Sequence, residues 1–83
     1  MKLSTVTFAE LRQLLKDLGF QETAKDQFPR FEHPASGTVF HYRPYRPDDF
    51  VTAMDLARTS YQLNWRGLLP PEAFEDRLKK TPA

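Results

Sequence analysis

The stretch FPRFEHPASGTVFHYRPYRP, residues 28–47, decides the fold of this chain. Two extended runs, residues 28–33 and 38–43, flank Pro34-Ala35-Ser36-Gly37. With proline early and glycine late, this four-residue connection suits a hairpin loop built on a type I turn. If His33 lies opposite Thr38, the further partners are Phe31 with Phe40, Arg30 with His41, Pro29 with Tyr42 and Phe28 with Arg43. Facing residues of an antiparallel pair lie on the same side, so this register sorts the hairpin into two faces. Pro29, Phe31, Phe40 and Tyr42 are expected to pack beneath helices. Phe28, Arg30, Glu32, Val39, His41 and Arg43 share the other face, which carries three basic or titratable groups, an aromatic ring and one carboxylate. Pro29 has no backbone donor and is expected at an edge or a bulge.

Upstream, Thr7 and Glu10 have the T-x-x-E spacing of a capping box. Phe8, Leu11, Leu14, Leu15 and Leu18 recur at helical intervals, a packing stripe that Gly19 closes as a C′ glycine with Phe20 folded back on the last turn. Residues 21–24 follow as a short strand and residues 25–27 as a polar turn. Downstream, Pro44 and Pro47 stiffen a largely extended connection. Thr52 and Asp55 then open a second helix over residues 53–66, closed by Gly67. Its stripe is expected along Met54, Leu56, Ala57, Ser60, Tyr61 and Asn64, extended by Leu63 and Leu68. Pro70-Pro71 breaks the chain before a short helix over residues 72–80 that carries Phe74 and Leu78. Trp65, with Leu68, Leu69 and Phe74, is expected to close the core, and the end RLKKTPA to be solvated.

These elements predict a single α+β domain spanning residues 1–83, ordered α-β-β-β-α(α), with a three-stranded antiparallel sheet packed on helices. Eighty-three residues bury one modest core, which favours binding at a surface over catalysis in a deep cleft. The absence of cysteine removes disulfides and thiol chemistry. No apolar run suggests a membrane span and the first residues lack a signal-peptide pattern, so the chain reads as soluble and cytoplasmic. Twelve Lys+Arg against eleven Asp+Glu give a formal charge of +1, so any attraction for a polyanion has to come from a local cluster.

That cluster is Arg30, His41, Arg43, Tyr45 and Arg46. Its guanidinium planes and rings suit exposed single-stranded RNA, and these five residues are the candidate RNA-binding set. His41, opposite Arg30, is the candidate general base; His33 serves the hairpin turn. The two histidines lack a metal-ligand spacing, and neither a metal nor another cofactor is expected.

The run TFAELRQLLKDLGF, a short strand, then F-E-H-P-x-S-G before another strand and a closing helix, resembles the HicA family of small toxins from bacterial toxin–antitoxin pairs. The resemblance covers residues 5–60, leaving residues 61–83 as a helical extension. It implies a double-stranded-RNA-binding-domain-like fold and mRNA interferase activity, an RNA substrate and an antitoxin-like protein partner. The family's catalytic histidine lies in a G-S-H segment three residues before the phenylalanine of the F-x-H-P turn. Here Asp26, Gln27 and Phe28 occupy that segment, and neither phenylalanine nor glutamine can shuttle a proton. The expectation is therefore an RNA-binding relative with little or no nuclease activity. The alternative is a protein-interaction module on the same fold.

Overall fold

The computed structural model describes residues 6–25 and 28–79. Its elements are α1 (Phe8–Asp17), β1 (Gln21–Lys25), β2 (Phe28–His33), β3 (Thr38–His41), α2 (Ala53–Trp65) and α3 (Pro71–Lys79). The strands form one antiparallel sheet in the order β1-β2-β3. One face of it shares a core with all three helices, giving the expected α+β architecture, an order compatible with a double-stranded-RNA-binding-domain-like arrangement. Asp26 and Gln27, placed in a turn by the sequence, and residues 80–83 lie outside the described residues.

Both ends of α1 follow from local chemistry. Glu10 N–H donates to Thr7 Oγ1 at 3.3 Å and Thr7 N–H donates to the Glu10 carboxylate at 2.9 Å, completing the capping box. At the other end Gly19 N–H donates to Lys16 O and Phe20 N–H to Leu15 O, each at 3.0 Å, a Schellman closure that needs the glycine's φ of +101°. Phe8, Leu11, Leu14 and Leu15 are buried, and Phe20 turns back to stack on Phe40 at 5.4 Å. The proline-rich connection adds a cap that the sequence did not announce. Its Asp49 and Pro47 carbonyls accept from Phe8 and Ala9 N–H at 2.8 and 3.0 Å.

The observed register pairs His33 with Thr38, Phe31 with Phe40 and Arg30 with His41. Pro29, Phe31, Phe40 and Tyr42 are buried, whereas Phe28, Val39, His41 and Arg43 are exposed. Pro29 corrects one expectation, because it lies in the central strand rather than at an edge. Tyr42 N–H donates to Pro29 O at 3.1 Å, and proline has no N–H to return the second bond, so β3 stops at His41 instead of reaching residue 43.

The second helix corrects more. Its inward face is Asp55, Thr59 and Leu63, while the expected stripe residues Met54, Ala57, Tyr61 and Asn64 face outward, with Met54 and Tyr61 72% and 63% exposed. The inward polar groups are satisfied by two tyrosines. Tyr45 OH donates to the Asp55 carboxylate at 2.6 Å. Thr59 Oγ1 donates to Asp55 O at 2.8 Å, so Tyr42 OH must be the donor in its 2.7 Å bond to Thr59 Oγ1. Thr52 caps α2 by accepting from Asp55 N–H at 3.1 Å, but the reciprocal half of the expected box is absent. Thr52 N–H donates instead to Tyr45 OH at 3.1 Å. Trp65, expected in the core, is 67% exposed, with the Arg66 guanidinium 5.3 Å from its ring. Of its expected companions, Phe74 is buried and Leu68 and Leu69 pack partly buried against the core, which Leu78 of α3 also joins. The expected solvated end is likewise corrected at its start, since Leu78 is buried and Arg77 pairs with Asp17 at 2.9 Å.

Gly19→Ala places a Cβ at a strained φ and 3.4 Å from His33 Nε2, and it should lower stability by about 1–2 kcal/mol in urea unfolding. Tyr42→Phe should cost about 0.5–1.5 kcal/mol for the lost bond to Thr59. Burial pushes the Tyr42 phenol well above its ordinary value of 10.0, so the folded state holds this proton more tightly than the unfolded chain does. Its contribution is therefore fully present below that ordinary value and declines as the pH rises past it. The Phe variant should show a shallower alkaline loss of stability than the parent; equal slopes would assign the loss to other groups.

Candidate functional site

The alternation that buries Phe31 and Phe40 lifts Phe28, Arg30, Glu32, Val39 and His41 onto the uncovered face of the sheet. From β1 this face receives Gln21 and Thr23, opposite Glu32 and Arg30. Phe28 is 51% exposed. Arg30 Nη2 pairs with the Glu32 carboxylate at 2.9 Å, leaving its Nε enclosed without a hydrogen-bond partner. Arg43 reaches away from the sheet centre, its Nε 3.6 Å from the Asp55 carboxylate and its guanidinium 5.9 Å from the Tyr45 centroid.

Of the five candidate RNA-binding residues, the sheet thus brings Arg30 and His41 together as register partners, while Arg43 lies just beyond β3 and turns to Asp55 and Tyr45. Tyr45 sits elsewhere. Its half-buried ring stacks on Phe8 at 5.3 Å and its hydroxyl is committed to Asp55 and Thr52, a structural position between α1 and α2. Arg46 is exposed in the connection, where its backbone N–H donates to the Asp49 carboxylate at 2.8 Å.

The two histidines have different surroundings. His33 packs on Phe20 at 4.9 Å, its Nδ1 lies 2.8 Å from Ser36 Oγ, and that hydroxyl contacts Thr38 Oγ1 at 2.7 Å. This chain of polar contacts ties the hairpin turn to the end of α1 and gives His33-Pro-Ala-Ser a structural role. His41 is exposed, and among the described residues no side chain hydrogen-bonds its ring. An acid–base pair needs a second group to orient the imidazole or receive its proton, and none is in place here. No group of three metal-ligating side chains gathers among the described residues.

A second feature escaped the sequence reading. Beside β3, the edge strand of the sheet, α2 exposes Met54, Ala57, Arg58 and Tyr61, and these enclose an open groove with Val39 and His41. Of these, Arg58 pairs at 3.7 Å with the buried Asp55 carboxylate, which also faces Arg43. The available signal was the Asp55-Thr59-Leu63 spacing, an i, i+4, i+8 row as regular as the apolar one beside it. A residue-by-residue polarity scale rejects that row because two of its three members are polar. Among the described residues no helix is long and apolar enough to cross a membrane. No family model matches the chain, and neither a curated protein nor a solved structure matches it.

Proposed function

We propose that the chain is a cytoplasmic RNA-binding protein of HicA-like fold that holds single-stranded RNA on the uncovered face of its sheet and does not cleave it. The observation that supports this reading is the grouping of a half-exposed phenylalanine, Phe28, with Arg30 and His41 on a face whose one carboxylate on β2 and β3 is Glu32, with Arg43 exposed just beyond the end of β3. Phe28 supplies a ring for base stacking, a contact worth about 1–3 kcal/mol per base. Arg30 and Arg43 supply guanidinium groups for phosphate, and Arg46 continues the basic track into the connection. With a formal charge of only +1, attraction is confined to this face and falls steeply with salt. Phe28 also occupies the place where the HicA resemblance puts a catalytic imidazole, and His41 stands without a partner. Both features favour binding without turnover.

A second reading, a protein-interaction module with an antitoxin-like or other protein partner, draws on the outward stripe of Met54, Tyr61 and Trp65 on α2. Tyrosine and tryptophan are over-represented among residues that dominate protein interfaces.

Fluorescence anisotropy with a labelled single-stranded RNA in low salt tests the first reading. Arg30→Gln, Arg43→Gln and Arg46→Gln together should weaken binding by about tenfold or more and flatten its salt dependence. The RNA should remain intact. Undetectable binding, or binding unchanged in the triple variant, overturns the proposal. Cleavage that disappears in His41→Ala would make the chain a nuclease after all.

A further inference from the structure

We infer that the groove between β3 and α2 is a docking site for an extended, acidic segment of a partner protein, which adds to the sheet as a fourth strand. This goes beyond the RNA reading and uses a different surface. RNA would meet side chains above the sheet, whereas a strand would meet the backbone at its edge.

The backbone specifies the occupant's conformation. Phe31 and Phe40 form a bonded pair, following the alternation set by the Tyr42 to Pro29 bond, so Val39 and His41 point their N–H and C=O groups away from β2. No strand flanks β3 on that side, and among the described residues no backbone group takes up those bonds. Such an edge is a template for one more strand, and proteins usually blunt it with proline, charge or a covering element. Here the covering element stands back. α2 ends beside the hairpin turn, where Arg66 Nη1 donates to Ser36 O at 3.3 Å, and it begins beside Tyr45, beyond the other end of β3. The helix therefore runs along the open edge and lines it with Met54, Ala57 and Tyr61 instead of closing it.

The side chains specify the occupant's charge. Asp55, outside the groove lining, is shared between Arg58 on the groove wall and Arg43, so the two guanidinium groups carry one positive charge beyond their common carboxylate. Asp55 itself is buried and bonded to Tyr45. A strand alternating apolar and acidic residues, with its acidic set turned toward α2, would place carboxylates near Arg58 and their methylene stems against Met54 and Tyr61, leaving its apolar set above the sheet beside Val39 and His41. A second copy of this chain fits poorly. Pairing β3 with β3 about a two-fold axis brings Thr38-Val39-Phe40-His41 against itself, contributes no carboxylate and sets the Arg58 rims of the two copies close together.

The test uses a short capped peptide of alternating valine and glutamate, with the valine–lysine analogue as control, added to the isotopically labelled full chain. The acidic peptide should slow hydrogen exchange of the Val39 and His41 amides by about tenfold or more, and the basic peptide should not. Val39→Pro deletes an outward-facing donor at an edge position where proline is tolerated, and it should abolish this protection. Arg58→Glu, an exposed change that leaves the strand intact, should weaken the acidic peptide and admit the basic one. Unchanged amide exchange at saturating peptide, equal binding of the two peptides, or binding that survives both variants overturns the inference. Protection of the same amides by oligouridylate alone would assign the groove to RNA. A dimer of the free protein that Val39→Pro dissolves would assign it to a second copy.

Discussion

The buried carboxylate of Asp55 is the constraint on which the arrangement of this small domain turns. Removed from water, it is satisfied by the Tyr45 hydroxyl at 2.6 Å and by the flanking guanidinium groups of Arg43 and Arg58. Tyr45 is in turn fixed by stacking on Phe8, which also makes edge contacts with Phe31 and Tyr42. One polar contact thus links the connection after the sheet to α1, the hairpin and α2. The same contact decides which way α2 faces. With Asp55 and Thr59 turned inward to meet two tyrosines, the more apolar row of that helix is left in solvent.

The hairpin and the first helix were legible in the sequence because each rests on local chemistry with a fixed period. Alternation with period two placed Phe31 and Phe40 on one face, and the loop Pro34-Ala35-Ser36-Gly37 left one register consistent with it. Thr7, Glu10 and Gly19 likewise carry the ends of α1 in their side-chain oxygens and backbone freedom. The second helix was not legible, because hydrophobic periodicity assumes that the inward face is the apolar one. Asp55 and Thr59 break that assumption only in company with Tyr45 and Tyr42, partners ten and seventeen residues away whose hydroxyls satisfy them. Trp65 was misplaced for a related reason. Phe74 and Leu78 of α3 already close that side of the core, leaving the indole to pack against Arg66.

The candidate site divides along the same line. Arg30 and His41 lie together because they are partners across two strands, whereas Arg43 and Tyr45 fall beyond β3, where Arg43 turns to Asp55 and Tyr45 stacks on Phe8. Sequence distance does not report side-chain direction in an irregular segment between two prolines. Electrostatics sharpens this division. Arg30 is paired with Glu32 and Arg43 with Asp55, so the charges at the open face are balanced by existing ion pairs. Recognition there depends on exchanging existing ion pairs for phosphate contacts, and Phe28 contributes through its ring without any such exchange.

The open face and the open edge meet at β3, and their geometry makes them compatible rather than competing surfaces. His41 directs its side chain above the sheet and its backbone outward in the sheet plane, as the alternation of an antiparallel strand requires. A ligand on the face therefore engages the imidazole, while a fourth strand engages the N–H and C=O of the same residue. An added strand does not cover the face. It widens it and supplies a new row of upward side chains beside Val39 and His41. With the acidic set turned toward α2, that row is apolar and brings no negative charge toward Arg30, which lies one strand further in on β2. Occupation of the edge and retention of RNA on the face then proceed side by side, with no movement of the sheet required.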